Sequence, residues 1–185
     1  MRPIALSFLS SFILVSSVVF SFSQNAVIDD FKSNPAQRWR LISDNVMGGV
    51  SSGQVNFKTK NGVSYAHLTG DVSTANNGGF VQIRRLINTV QDKDINGLRL
   101  IVRGNNQRYF MHLRTTGTVL PWQYYQAAYE VSDEWREVRL PLAKFERSGK
   151  MLRKTPLVDS IKSIAVVAFG RDHSADIQIR EVGFY

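Results

Sequence analysis

Residues 98–115 read LRLIVRGNNQRYFMHLRT. Leu98, Leu100 and Val102 alternate with Arg99, Ile101 and Arg103, a period of two that sends successive side chains to opposite faces of a strand. RGNNQ then breaks the pattern with the Gly and Asn residues that turns use, and RYFMHLRT continues the series as another strand. The same alternation spreads outward in both directions. It recurs as Val63, Tyr65 and His67 in VSYAHLTG, and as Val81, Ile83 and Arg85 against Phe80, Gln82 and Arg84 in FVQIRRL. YYQAAYEV, WREVRLPL, SIAVVAFG and DIQIREVGFY extend it, with KNG, NNGG and RTTGT as further spacers. No segment after the leader keeps a helical apolar period beyond about two turns. Short helices are expected only at Ile28–Phe31 and Leu142–Phe145. Roughly nine short strands joined by polar turns predict an all-β fold, two packed antiparallel sheets forming a jelly-roll sandwich. Trp39 and Trp135 each flank a strand and are expected in its core.

The amino-terminal segment differs. Ile4 to Phe22 is almost wholly Leu, Ile, Val, Phe and Ser, with Arg2 the only charge before Asp29. This is a secretory signal pattern, and the serines dilute it as a permanent span. Small residues at Ser21 and Ser23 place the cut between Ser23 and Gln24. The expectation is a signal peptide over 1–23 and a single domain over 24–185, exported to the periplasm or secreted; retention as a membrane anchor is the alternative. The chain has no cysteine, which excludes a disulfide framework, a thiolate metal site and a catalytic thiol. Its net charge of +8 is scattered rather than blocked, which fits ordinary solubility better than a nucleic-acid surface.

Enzyme motifs fail on context. GVSSG, Gly49 to Gly53, formally matches the G-x-S-x-G elbow with Ser51 as nucleophile. That motif needs a buried strand before it and a helix after it, whereas QVNFKT alternates as a strand. His67, His112 and His173 lack metal-ligand spacing. The paired acids Asp29/Asp30, Asp92/Asp94 and Glu134/Glu137 sit beside turn signals, where solvated carboxylates are expected. No phosphate-binding loop is present, and no nucleotide cofactor is expected.

What remains is a pair of polar, glycine-rich stretches, SDNVMGGVS and TANNGGFVQIRR. Gly48, Gly49, Gly78 and Gly79 permit close backbone approach, which serves a sharp corner and a ligand equally well. Asp44, Asn45, Asn76 and Asn77 supply more donors and acceptors than a turn needs, and Arg84 follows on a strand. The two stretches are expected to be neighbouring loops forming one polar site of Asp44, Asn45, Ser51, Asn76, Asn77 and Arg84. Asp44 would accept hydrogen bonds from backbone N–H groups or from Arg84. Trp122 and Tyr125 of PWQYYQAAY would add aromatic surface.

RWRLISDNVMGGVSSGQVNF, LTGDVSTANNGGFVQIR, PWQYYQAAYEV and EWREVRLPLAKF together resemble the complex I intermediate-associated protein thirty family, named for an assembly factor of mitochondrial NADH:ubiquinone oxidoreductase. The resemblance runs from about Trp39 to Tyr185. Its pattern falls on Trp39, Asp44, Met47, Gly48, Gly49 and Ser51, then on Asn76 to Phe80, and later on Trp122, Tyr125, Trp135 and Pro141. It implies a galactose-binding-domain-like jelly roll and a binding or chaperone-like role, with no catalytic residues, metal or cofactor. The assembly factor acts in the matrix, while a cleaved signal sends this chain out of the cytoplasm. The expected function is therefore an exported, non-enzymatic module that binds a partner protein or a glycan through rim loops. The alternative is a complex I assembly factor associated with membrane proteins, and the third is a carbohydrate-active enzyme using unpaired acids.

Overall fold

The computed structural model describes residues 26–88, 90 and 94–185; the expected signal segment 1–23, the cut at Gln24 and Asp92 lie outside them. Twelve strands are found among the described residues. They are β1 (Val27–Asp29), β2 (Trp39–Ser43), β3 (Ser52–Lys60), β4 (Val63–Val72), β5 (Phe80–Leu86), β6 (Gly97–Gly104), β7 (Arg108–Thr115), β8 (Tyr125–Glu130), β9 (Arg136–Pro141), β10 (Glu146–Arg147), β11 (Ile161–Phe169) and β12 (His173–Phe184). One sheet has the order β3-β4-β12-β6-β9, with β1 on β12; the other runs β10-β8-β7-β11-β5-β2. All pairings are antiparallel.

Most links carry the chain from one sheet to the other, which is what makes the sandwich a jelly roll. The opening stretch shows this: β6 lies in the first sheet and β7 in the second, so RGNNQ is a corner and not a hairpin turn. The KNG spacer, by contrast, closes the β3–β4 hairpin, with Asn61 and Gly62 both left-handed, the two-residue turn that matches strand twist. Between the sheets, Leu68, Leu98, Leu100, Ile177 and Ile179 face Ile83, Met111, Leu113, Ile164 and Val166, all fully buried.

Three expectations need correction. Ile28–Phe31 is not helical: Val27–Asp29 pairs with β12, and the short helix is Pro35–Arg38, where Pro at the first turn costs no hydrogen bond. At 142–145 a 3-10 turn over Leu142–Lys144 replaces a helix. Trp39 is in the core at 2% exposure, but Trp135 is only half-buried. It lies between the guanidiniums of Arg103 (4.9 Å) and Arg180 (5.5 Å), with its edge toward Tyr65.

Trp39 also reports how the amino-terminal end is tied down. Its indole N–H donates to buried Asp29 at 2.8 Å. The same carboxylate accepts from the Phe31 N–H and from Arg38 (2.8 and 2.9 Å), and pairs with Arg85. Burial raises the Asp29 pKa, but the Arg38, Phe31 and Trp39 bonds and the Arg85 charge together bring it below the ordinary value. No helix among the described residues is long and apolar enough to cross a membrane.

Candidate functional site

The two glycine-rich stretches meet. The first joins β2 to β3 and the second joins β4 to β5, so both are corners between the same pair of sheets. Asp44 is the latch between them, with no exposed surface. It accepts from the Ser51 N–H (2.9 Å), the Ser51 hydroxyl (2.5 Å), the Gly79 N–H (2.5 Å) and the Phe80 N–H (3.2 Å). Burial raises its pKa, but the Ser51, Gly79 and Phe80 bonds outweigh burial and hold the carboxyl below its ordinary value.

That carboxylate explains the glycines. Gly48 and Gly79 have φ of 90° and 124°, which L side chains avoid. Gly49 and Gly78 do not need a special φ; a Cβ at either would overlap the Asp44 side chain.

Of the site residues read from the sequence, Asp44, Asn45, Ser51, Asn76 and Asn77 are thus brought together at one rim. Asp44 and Ser51 spend their polar groups on each other and on the corner backbone. The Ser51 oxygen also accepts from the Ser73 N–H at 2.9 Å, with no imidazole among its partners. The Asn45 amide, oriented so that its nitrogen rather than its oxygen meets them, donates to the carbonyls of Gly49 (2.7 Å) and Ser51 (3.2 Å), and Asn76 donates to the Gly48 carbonyl at 3.4 Å. Beside the exposed Asn45, Asn76 and Asn77, this rim also shows apolar side chains to solvent: Val46, Met47 and Val50 are 75, 61 and 54% exposed.

Arg84 belongs elsewhere. It does not bond Asp44; it stands on the outer face of β5, opposite Arg40 on β2 and Ala165 on β11. There it borders a groove floored by Ser163 and Ala165, small residues that leave a depression between β5 and β7. Gln82 and Arg84 form one wall, and His112, Arg114 and Tyr124 the other. His112 and Tyr124 stack nearly parallel, with ring centroids 4.3 Å apart, and Phe169 meets both edge-on. The loop before β8 closes one end with Pro121 and Gln123, and Trp122 between them is 67% exposed. Tyr125, in contrast, points into the core at 2% exposure. The period of two that buries Tyr125 puts Tyr124 outside, so the outward ring of the pair is Tyr124.

The electrostatics of this groove are one-sided. None of its lining residues is acidic. Burial and then the Arg114 charge pull the Arg84 pKa below the usual guanidinium value. Burial pushes the His112 imidazole down to about 3, so it is neutral at physiological pH, and its Nε2 has no hydrogen-bond partner. His112, Arg114, Gln82 and Tyr124 were not picked out as site residues from the sequence; Gln82 shares the outer face of β5 with Arg84, while only cross-strand register places His112 and Arg114 beside it. No group of three or more His, Asp or Glu suited to a metal is found among the described residues.

The family description Complex I intermediate-associated protein 30 matches residues 28–179. The chain belongs to this family. A comparison with curated protein sequences gives no significant match. Among solved structures the chain is similar to the family 11 carbohydrate-binding module of the cellulosomal cellulase Lic26A-Cel5E of Clostridium thermocellum, with 13% identity, 89% of this chain and 95% of that one covered, and a TM-score of 0.71. A family 11 module from the same organism, in complex with a β-1,3-1,4-mixed-linked tetrasaccharide, gives 12% identity, 86 and 94% coverage and a TM-score of 0.69. A family 30 carbohydrate-binding module gives 12% identity, 74 and 91% coverage and a TM-score of 0.52. At such identities the likeness is one of fold: the jelly-roll sandwich that the strand pattern predicts, in the galactose-binding-like form that the family resemblance implies.

Proposed function

We propose that this family member is a non-catalytic binding module that takes a glycan on the outer face of its second sheet, in the groove between β5 and β7. One observation carries the reading. Aromatic surface, the Tyr124–His112 stack with Trp122 exposed at the loop end, stands beside amide and guanidinium groups from Gln82, Gln123 and Arg84 over a floor of small residues. Apolar sugar faces pack on aromatic rings while fixed polar groups bond hydroxyls. The trough on the other sheet, along Ser52, Gln54, Thr69 and Asp71, has no aromatic lining. The tetrasaccharide bound to a module of this architecture supports the reading by analogy of fold. No carboxylate lines the groove, so the acid pair that glycoside hydrolysis uses is not offered there. An exported chain, as the leader predicts, would meet cell-surface or extracellular glycans.

The rim of Val46, Met47 and Val50 favours a second reading, docking of a partner protein, since a solvent-facing apolar cluster at a loop corner suits an interface. In this family that partner would belong to complex I assembly. Affinity electrophoresis through gels containing soluble polysaccharides separates the two. Retardation that Trp122→Ala abolishes supports the glycan reading. No retardation in any gel, together with a co-purifying respiratory subunit that Met47→Glu releases, would replace it with the second.

A further inference from the structure

We propose that this groove contains a subsite for an anionic substituent, the carboxylate or sulfate ester of an acidic glycan, held between Arg84 and Arg114. The inference rests on the glycan reading and deepens it.

Four observations converge. Among the described residues, Arg84 has no hydrogen-bond or ion-pair partner, although it is half-buried. A guanidinium partly removed from water without a counter-charge is costly. Arg114 is fixed but not neutralised: its two terminal nitrogens donate to the carbonyls of Leu120 (2.8 Å) and Pro121 (3.2 Å). Both guanidiniums border one depression from opposite sides of β11, and like charges so placed repel. The acids on this face do not relieve them: Glu130 and Glu146 lie on β8 and β10, beyond β7, and Glu130 pairs with Arg108.

The remaining contributions fit an oxyanion. His112, which also lines the groove, presents a ring stacked on Tyr124 and brings no negative charge to compete for the guanidiniums. The groove holds about 70 Å³ of space open to water. That is room for a few water molecules, or for one substituent of a sugar ring whose body rests on Trp122 and Tyr124. Planar guanidinium forks are the groups best matched to carboxylate and sulfate oxygens.

The test compares polymers with the same backbone: polygalacturonate against its methyl ester, and dextran sulfate against dextran, with inorganic phosphate and phosphatidylglycerol vesicles as further probes. Binding is read by calorimetry and thermal shift on wild type, Arg84→Gln, Arg114→Gln and, as a charge control on the exposed end of β3, Lys60→Gln. The expected result is that the charged polymer of at least one pair binds wild type about tenfold or more tighter than its neutral partner. Arg84→Gln and Arg114→Gln each lose about that factor, while Lys60→Gln does not. Because Arg84 is uncompensated in the free protein, Arg84→Gln should melt at or above the wild-type temperature, and the rise in Tm given by the charged polymer should fall to that given by its neutral partner. Equal, Trp122-dependent binding of charged and neutral polymers would overturn the subsite and leave the glycan reading standing. Arg84-dependent binding of phosphate or vesicles with no polymer bound would overturn both and assign the groove to a phosphate group. An equal loss in Lys60→Gln would also overturn the subsite, reducing it to net charge.

Discussion

Replacing Asp44 by alanine removes the acceptor shared by both corners. Three main-chain N–H groups lose their partner, those of Ser51 and Gly79 buried and that of Phe80 partly buried, while the Ser51 hydroxyl retains the Ser73 carbonyl at 3.2 Å. Leaving a buried donor unpaired costs about 1–3 kcal/mol. With the Phe80 bond the longest and weakest of the three, the sum is about 4–6 kcal/mol, a large part of the ~5–15 kcal/mol that holds a domain together. Asp44→Asn keeps one acceptor oxygen and turns a donor toward donors, so about 2–3 kcal/mol is expected. Urea denaturation at neutral pH measures both. Gly78→Ala supplies the internal control, because its Cβ would overlap the Asp44 carboxylate. It should be strongly destabilising in wild type and far milder beside Asp44→Ala, a coupling of about 1–3 kcal/mol. The pH dependence has a definite sign. A carboxyl whose folded pKa lies below its unfolded value of 3.8 contributes stability above that value and loses it as pH falls through the folded pKa. Asp44→Asn should therefore flatten the stability loss below about pH 4. An Asp44→Ala cost under about 1 kcal/mol, or Gly78→Ala costs equal in both backgrounds, would refute the latch.

Two further predictions test the outer faces. The unfolded state protonates His112 near 6.5 while the folded state does so only near 3. Acidification through that window should cost about 1.4 kcal/mol per pH unit, and His112→Phe, which keeps the stack on Tyr124, should remove this slope when urea midpoints at pH 7 and pH 5 are compared. Trp135 is half-buried between Arg103 and Arg180, so Trp135→Ala should cost about 1–2 kcal/mol by denaturation, short of the ~3–5 kcal/mol of an aromatic truncated in the core.

The fold was legible because its signal is repetitive. Each long strand carries the period of two, and each corner carries Gly, Asn or Pro, so fold class and sandwich follow without knowledge of pairing. The strands that escaped are β1 and β10. β10 is an edge of its sheet and β1 pairs only with β12; each is short and hydrogen-bonded on one side, so its sequence need not alternate for long. Trp135 escaped for a related reason: two arginine side chains shelter its ring on the outside of the sheet, a burial made by residues far away in sequence.

The candidate site divides along the same line. Asp44, Gly49, Ser51, Gly78 and Gly79 stand out in the sequence because a corner between sheets tolerates few residues, and the structure gives most of them bonding partners inside the chain. Arg84, His112, Arg114 and Tyr124 have no local peculiarity. Arg84 becomes unusual only when β11 sets Ala165 between it and His112, and Ser163 opposite Arg114. Tyr124 differs from Tyr125 by a single step of alternation, which decides whether a ring packs in the core or lines the groove. Local backbone constraint is written in adjacent residues, whereas the groove on the second sheet is written in the register of strands about 50 to 80 residues apart, which no single stretch displays. The amino-acid types that best mark the corners are therefore poor guides to the groove, and substitutions on β5, β7 and the loop before β8 are the ones that can reshape it while leaving the corners, and the fold they close, intact.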